Sequence, residues 1–238
     1  MTNITVALLI VLIIVIIIAL TLVICRPGSF MYELLTVKPI RICSSIDNRC
    51  YKISQAYEGG YQTAADMLAK LNSDILAVIR YMRNKYLWNH QYATSMEPAI
   101  VLRKRILEHM LHRYNADVLI ENVPWSATET SYTQEKGERV AICLREKNTG
   151  RHELEEYSDI LFVGLHELAH VSTDVKDHEE PFWHVFRVIL HEAEDAGVYQ
   201  PVNYEQKPMS VCGLNVSYNP YYDTSLGEEY LYPMINIL

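Results

Sequence analysis

Residues 160–172 read I-L-F-V-G-L-H-E-L-A-H-V-S, and everything else in the chain is best read outward from them. On a helix, His166 and His170 stand four residues apart and so share one face, about one turn from each other, where both imidazoles can reach one metal ion. Glu167 follows one residue after the first histidine. It falls beside such an ion rather than on it, the place from which a carboxylate can take a proton from a polarised water. From this composition an H-E-x-x-H pattern arises by chance only about 0.03 times. His152-Glu153 and His191-Glu192 lack a second histidine at that distance and serve as internal controls. The apolar run before His166 buries the helix, and Gly164 predicts close packing against a strand. A hydrolytic zinc site needs a third protein ligand and an open fourth position. His178 leads. The spacing H-E-x-x-H-x-x-G-x-x-H is not met, because position 173 is Thr and position 176 is Lys. Glu192 or Glu194 on the next helix is the carboxylate alternative, and His184 is a further one.

Around this stretch the pattern predicts an α+β chain. The motif helix spans Glu153 to about Ser172, and another runs from Pro181 to a glycine stop at Gly197. Asp117–Asn122 and Arg139–Arg145 read as strands, the second with Val140, Ile142 and Leu144 on one face and Lys136-Gly137 as the turn before it. Val140–Leu144 is the expected edge strand for an extended substrate. Tyr61–Tyr86 and Glu97–Tyr114 read as two helices of a packed hairpin, the second with Ser95 as cap, Pro98 in its first turn, and Ile100, Leu107 and Leu111 on its apolar face. Arg26–Gly60 reads as a juxtamembrane spacer broken by Arg26-Pro27-Gly28, and Tyr199–Leu238 as irregular. The expected division is an anchor at 1–25, a spacer at 26–60, the helical hairpin at 61–115 and the metal-binding domain at 116–238.

Ile4–Cys25 is apolar apart from Thr5 and Thr21. As a helix it is about 33 Å long, enough for a bilayer core of about 30 Å. No basic residue precedes it and no A-x-A site closes it, so an uncleaved single-pass anchor is the reading and the membrane is a partner through residues 4–25. Arg26, Lys38, Arg41, Arg49 and Lys52 lie after it, which places the large C-terminal part on the cytosolic side. Asn215-Val-Ser is a glycosylation sequon that would be usable only on the other side.

The 238 residues carry a formal charge of -8, which gives no general attraction for nucleic-acid backbones. The charge is uneven. Arg80–Arg113 holds seven basic residues against two acidic ones, and Arg151–Asp195 holds three against twelve, which suggests basic substrate segments. Five cysteines at 25, 43, 50, 143 and 212 contain no C-x-x-C. Reduced thiols are expected, with Cys43–Cys50 as the one plausible pair.

H-E-L-A-H, a loop, then His178-Glu-Glu-Pro-Phe182 and an apolar helix, with V-A-I-C-L-R as a preceding strand, resembles the WLM metalloproteases, relatives of the SprT/Spartan proteases that digest DNA-crosslinked proteins. The resemblance covers roughly Asp117 to Gly213. It implies a zincin-like domain in which His166, His170 and His178 bind Zn2+, Glu167 is the catalytic base and the substrate is a protein or peptide. The loop before His178 is about two residues longer than in that pattern. An anchor followed by such a domain is similar to proteins of large nucleocytoplasmic DNA viruses, which implies a viral protein with the virion membrane as its expected location. The expected function is a membrane-anchored zinc endopeptidase. The alternatives are a catalytically silent structural protein and, less favoured, a DNA-associated protease using the basic helices. Tyr204, Tyr218, Tyr221 and Tyr222 are candidates for stabilising the oxyanion.

Overall fold

The computed structural model describes residues 3–24 (side chains 9–22), 38–57, 59–122, 130–147, 152–175 and 177–226. The Arg26-Pro27-Gly28 break, Cys25 and the chain beyond 226 lie outside the described residues. Helix α1 spans Asn3–Ile24, and the apolar side chains described along it are about half exposed, Leu9 at 51% and Leu22 at 70%. Among the described residues no helix is long and apolar enough to cross a membrane. The span expected at Ile4–Cys25 is therefore not found among them.

A five-stranded sheet has the order β1-β2-β3-β5-β4, built from β1 (Ile40–Cys43), β2 (Cys50–Ile53), β3 (Leu119–Glu121), β4 (Tyr132–Gln134) and β5 (Arg139–Ile142). β1 and β2 form a hairpin with Cys43 opposite Cys50, inside the stretch expected to be a spacer. β2, β3 and β5 run parallel, and β4 returns antiparallel on β5 with Thr133 opposite Val140. β5 is thus interior, which corrects the expected edge strand: the free edge at this end belongs to β4. Interior placement explains why Val140, Ala141 and Ile142 are all buried where a one-faced strand would alternate.

Helix α2 (Tyr61–Arg83) lies against β1, β2 and β3. Its buried residues Ala64, Leu68, Leu71, Ile75, Val78 and Met82 follow helical spacing. It runs on as a π turn over Asn84–Trp88, and that wider turn seats Tyr86, whose hydroxyl donates to Glu192 Oε1 at 2.5 Å. A short helix, α3 (His90–Ala93), precedes α4 (Pro98–Arg113). At the start of α4 the Ser95 hydroxyl accepts from the Glu97 amide, so the N-cap residue itself is Glu97. Leu107 is buried, but Leu111 is 43% exposed. α5 (Tyr157–Val171) and α6 (Glu180–Asp195) complete the helices. α5 starts later than expected because Leu154 is bridged to Arg145 in extended backbone. The C-terminal stretch expected to be irregular holds a hairpin, β6 (Met209–Val211) and β7 (Leu214–Val216).

Apart from α1 and β4, all of these parts contribute to one core, so the helical pair and the metal-binding domain are not separate bodies. Gly164 on α5 packs on α2 rather than on a strand: a Cβ there would sit 2.4 Å from Leu71 Cδ1. Glu121 and Arg145 form a buried ion pair at 2.8 Å. The expectation of reduced thiols is overturned. Cys43 is bonded to Cys50 and Cys143 to Cys212, the second pair joining positions too far apart in sequence for spacing to reveal.

Candidate metal centre

α5 brings His166 and His170 onto one face, and the loop after it returns His178 to them. That loop is clamped from two sides. Arg113 pairs with Asp174, Lys136 donates to the Val175 carbonyl, and Asp177 turns the chain through φ 55° immediately before His178. Trp183 Nε1 then donates to the His178 carbonyl at 3.0 Å. The result is three Nε2 atoms in a small triangle: His166–His178 2.9 Å, His166–His170 3.3 Å and His170–His178 3.3 Å. Among the described residues this is the group of side chains placed to hold a metal ion.

Phe182 forms the floor. Its ring centre lies 4.9, 4.3 and 4.8 Å from those of His166, His170 and His178, and it is fully buried. Burial drives the His166 imidazole well below its ordinary range, and the two neighbouring histidines add to this. Burial, then His178 and Lys136, push His170 down to about 4. His178 is lowered too, chiefly by burial, with Asp177 opposing. Neutral imidazoles offer lone pairs, and three ring nitrogens this close together could hold a metal ion.

Glu167 is buried at 3% exposure, and its Oε2 accepts a hydrogen bond from Thr133 Oγ1 at 2.8 Å. Thr133 is the middle residue of the edge strand β4. The sequence reading missed it, although the turn at Lys136-Gly137 was visible; pairing residues outward across that turn from Arg139–Ile142 would have found the strand.

The histidines and Glu167 open onto a cleft of about 880 Å³. Consecutive residues of β4 line one wall and residues of the β6–β7 hairpin the other. The acidic run gives the cleft no acidic wall. Of its twelve members only Glu167 and Asp177 line it, and Lys136 and Glu135 join them.

The other candidates fall elsewhere. Glu192 accepts from Arg103 Nε at 2.9 Å, Lys85 Nζ at 3.2 Å and Tyr86, which removes it as a ligand. Glu194 accepts from the Tyr221 hydroxyl. His184 is buried with Nε2 3.8 Å from Glu180, outside the triangle. Tyr204 is buried edge-on to Phe162, and Tyr222 donates to the Pro201 carbonyl. Of the four tyrosines only Tyr218 lines the cleft, its hydroxyl donating to Asp223 at 2.7 Å. Burial and that carboxylate raise its pKa.

No family model matches the chain, and no solved structure matches it. It is 29% identical over 111 residues to "Uncharacterized protein 136R" of Invertebrate iridescent virus 6, covering 47% of this chain and 59% of that protein. It is 30% identical over 171 residues to "Uncharacterized protein R325" of Acanthamoeba polyphaga mimivirus, covering 72% of this chain and 79% of that protein. With an aligned region that contains most of both chains, this protein belongs to the same family as mimivirus R325.

Proposed function

We propose that this protein is a zinc-dependent endopeptidase of the WLM type, held at a membrane by Ile4–Cys25. The observation that carries the reading is the triangle of Nε2 atoms, 2.9–3.3 Å on a side, with a buried carboxylate beside it. Three nitrogens about 2.05 Å from a tetrahedral ion stand about 3.3 Å apart, so the donors fit zinc, and three histidines leave its fourth position open. Bound there, zinc would supply a Lewis acid for the scissile carbonyl and acidify a water. Glu167 takes that water's proton and passes it to the leaving nitrogen. Thr133 holds one carboxylate oxygen and so aims the other. The free edge of β4 pairs with an extended substrate chain, which places the peptide bond between Glu167 and the histidines. Four supports agree with the WLM resemblance: the H-E-L-A-H helix, His178, Phe182 beneath the rings and an adjoining sheet edge.

The anchor is supported by the apolar run and by the exposed side chains of α1, which join no part of the core. Metal analysis and proteolysis of the full chain in detergent test the reading. Wild type is expected to hold one zinc and to cut casein or itself. Glu167→Gln should keep the zinc and lose cleavage, and His178→Ala should lose the zinc. Bound zinc with no Glu167-dependent cleavage would leave a structural protein of a viral membrane, and absence of zinc would remove the reading altogether.

A further inference from the structure

The cleft is divided along β4. Thr133 marks the centre through its bond to Glu167. Toward the Tyr132 end, Ser131 Oγ accepts from the Cys143 amide at 2.9 Å, and the Cys143–Cys212 bond brings in the β6–β7 hairpin. On that side Phe162, Val163, Phe186, Val211, Leu214 and Val216 form the apolar part of the lining, beside Ser131 and Asn215. Phe162 and Val163 lie one helical turn before His166, and Phe186 is 5.2 Å from the His166 ring. Toward the other end, Glu135, Lys136 and Asp177 line the cleft, and Lys136 is the cation that acts on His170. An apolar half thus adjoins His166, and a half with charges of both signs adjoins His170 and His178.

A chain adding to β4 pairs most stably antiparallel. It then runs from the Lys136 end to the Thr130 end, and its part after the cut bond enters the apolar half. Resting on the peptidase reading above, we infer that the substrate is an extended polypeptide with a large aliphatic or aromatic side chain just C-terminal to the cleaved bond, and that the β6–β7 hairpin selects it. Leu214 is the hairpin's selecting residue, 52% exposed and therefore free to change without disturbing the core.

Two sets of hydroxamates test this on the zinc-loaded full chain without any turnover. One set extends from the metal-binding group toward the C-terminal side of a substrate, the other toward the N-terminal side, each carrying Gly, Leu or Asp next to that group. Leu is expected to tighten the first set at least tenfold, the scale of burying one such side chain, and the second set less than threefold. Leu214→Lys should abolish the Leu preference in the first set and favour Asp there. A Leu preference confined to the second set, or one unchanged in Leu214→Lys, overturns the inference while leaving the peptidase reading intact. Failure of the chain to hold zinc overturns both. Cleavage-site mapping on a peptide library must show the same polarity.

Discussion

Breaking the Cys143–Cys212 bond should destabilise the protein by about 4 kcal/mol. The two cysteines are 69 residues apart, and the segment between them contains α5, α6, Glu167 and all three histidines of the cluster. Closing a loop of that length removes roughly 15 cal/mol/K of unfolded-chain entropy, or about 4 kcal/mol at 25 °C. For a chain of this size that corresponds to roughly 8–16 °C in Tm. The double variant Cys143→Ala/Cys212→Ala, which leaves no stray thiol, is the cleanest perturbation, and thermal unfolding of the full chain in detergent is the assay. Phosphine reduction of wild type should lower Tm further, because the shorter Cys43–Cys50 loop contributes about 2 kcal/mol more. A shift below about 1 kcal/mol would refute the reasoning. So would rapid maleimide labelling of Cys43, Cys50, Cys143 and Cys212 in unreduced protein from native membranes. The second result would bear on topology as well. Disulfides persist in oxidising compartments, whereas the basic residues after Ile4–Cys25 direct the domain to the reducing side; Asn215, exposed on β7, would carry glycan only in the former.

Gly164→Ala drives a Cβ to 2.4 Å from Leu71 Cδ1 and 3.0 Å from Cδ2. Overpacking of about 1–3 kcal/mol is offset in part by about 1 kcal/mol of helix propensity, so calorimetry should show a net loss that Leu71→Ala relieves. Thr133→Val removes the hydroxyl on Glu167 and keeps the shape. It should lower kcat about tenfold or more with zinc content unchanged, and Thr133→Ser should restore most of it; an unaltered kcat would leave Thr133 no role in aiming the base. The metal-free protein should lose stability as pH falls below 6.5 toward about 4, the range set by His170. There the unfolded chain binds more protons than the folded one, so stability rises with pH across that window and is flat above it. Urea unfolding at a series of pH values reads this, and stability that rose on acidification would contradict it.

The H-E-x-x-H helix, its partner after Pro181 and the return of His178 were legible because each depends on spacing within one helix or on a short loop. The rivals of His178 were not separable from the sequence: Glu192 is committed to Arg103, Lys85 and Tyr86, and those partners lie about 90 or more residues earlier, where no local pattern reaches. The strands that frame the site were poorly legible. β4, β6 and β7 have three residues each, too few to show a period of two. β1 and β2 were hidden in a stretch without a long periodic run, and only their tie to β3 makes them part of the sheet. Leu111 looked like a core position because its spacing fits, yet it is exposed; periodicity gives a face and says nothing of whether a neighbour covers it.

Phe182 lies against all three imidazoles and closes the cluster from beneath. Among the described residues the three imidazoles line the cleft, so an ion held by them would leave through the groove where a peptide would lie. Occupancy of the groove and escape of the ion then exclude one another: a chelator should strip zinc more slowly from protein saturated with a tight-binding peptide than from free protein. Metal exchange would thus be confined to the intervals between substrates.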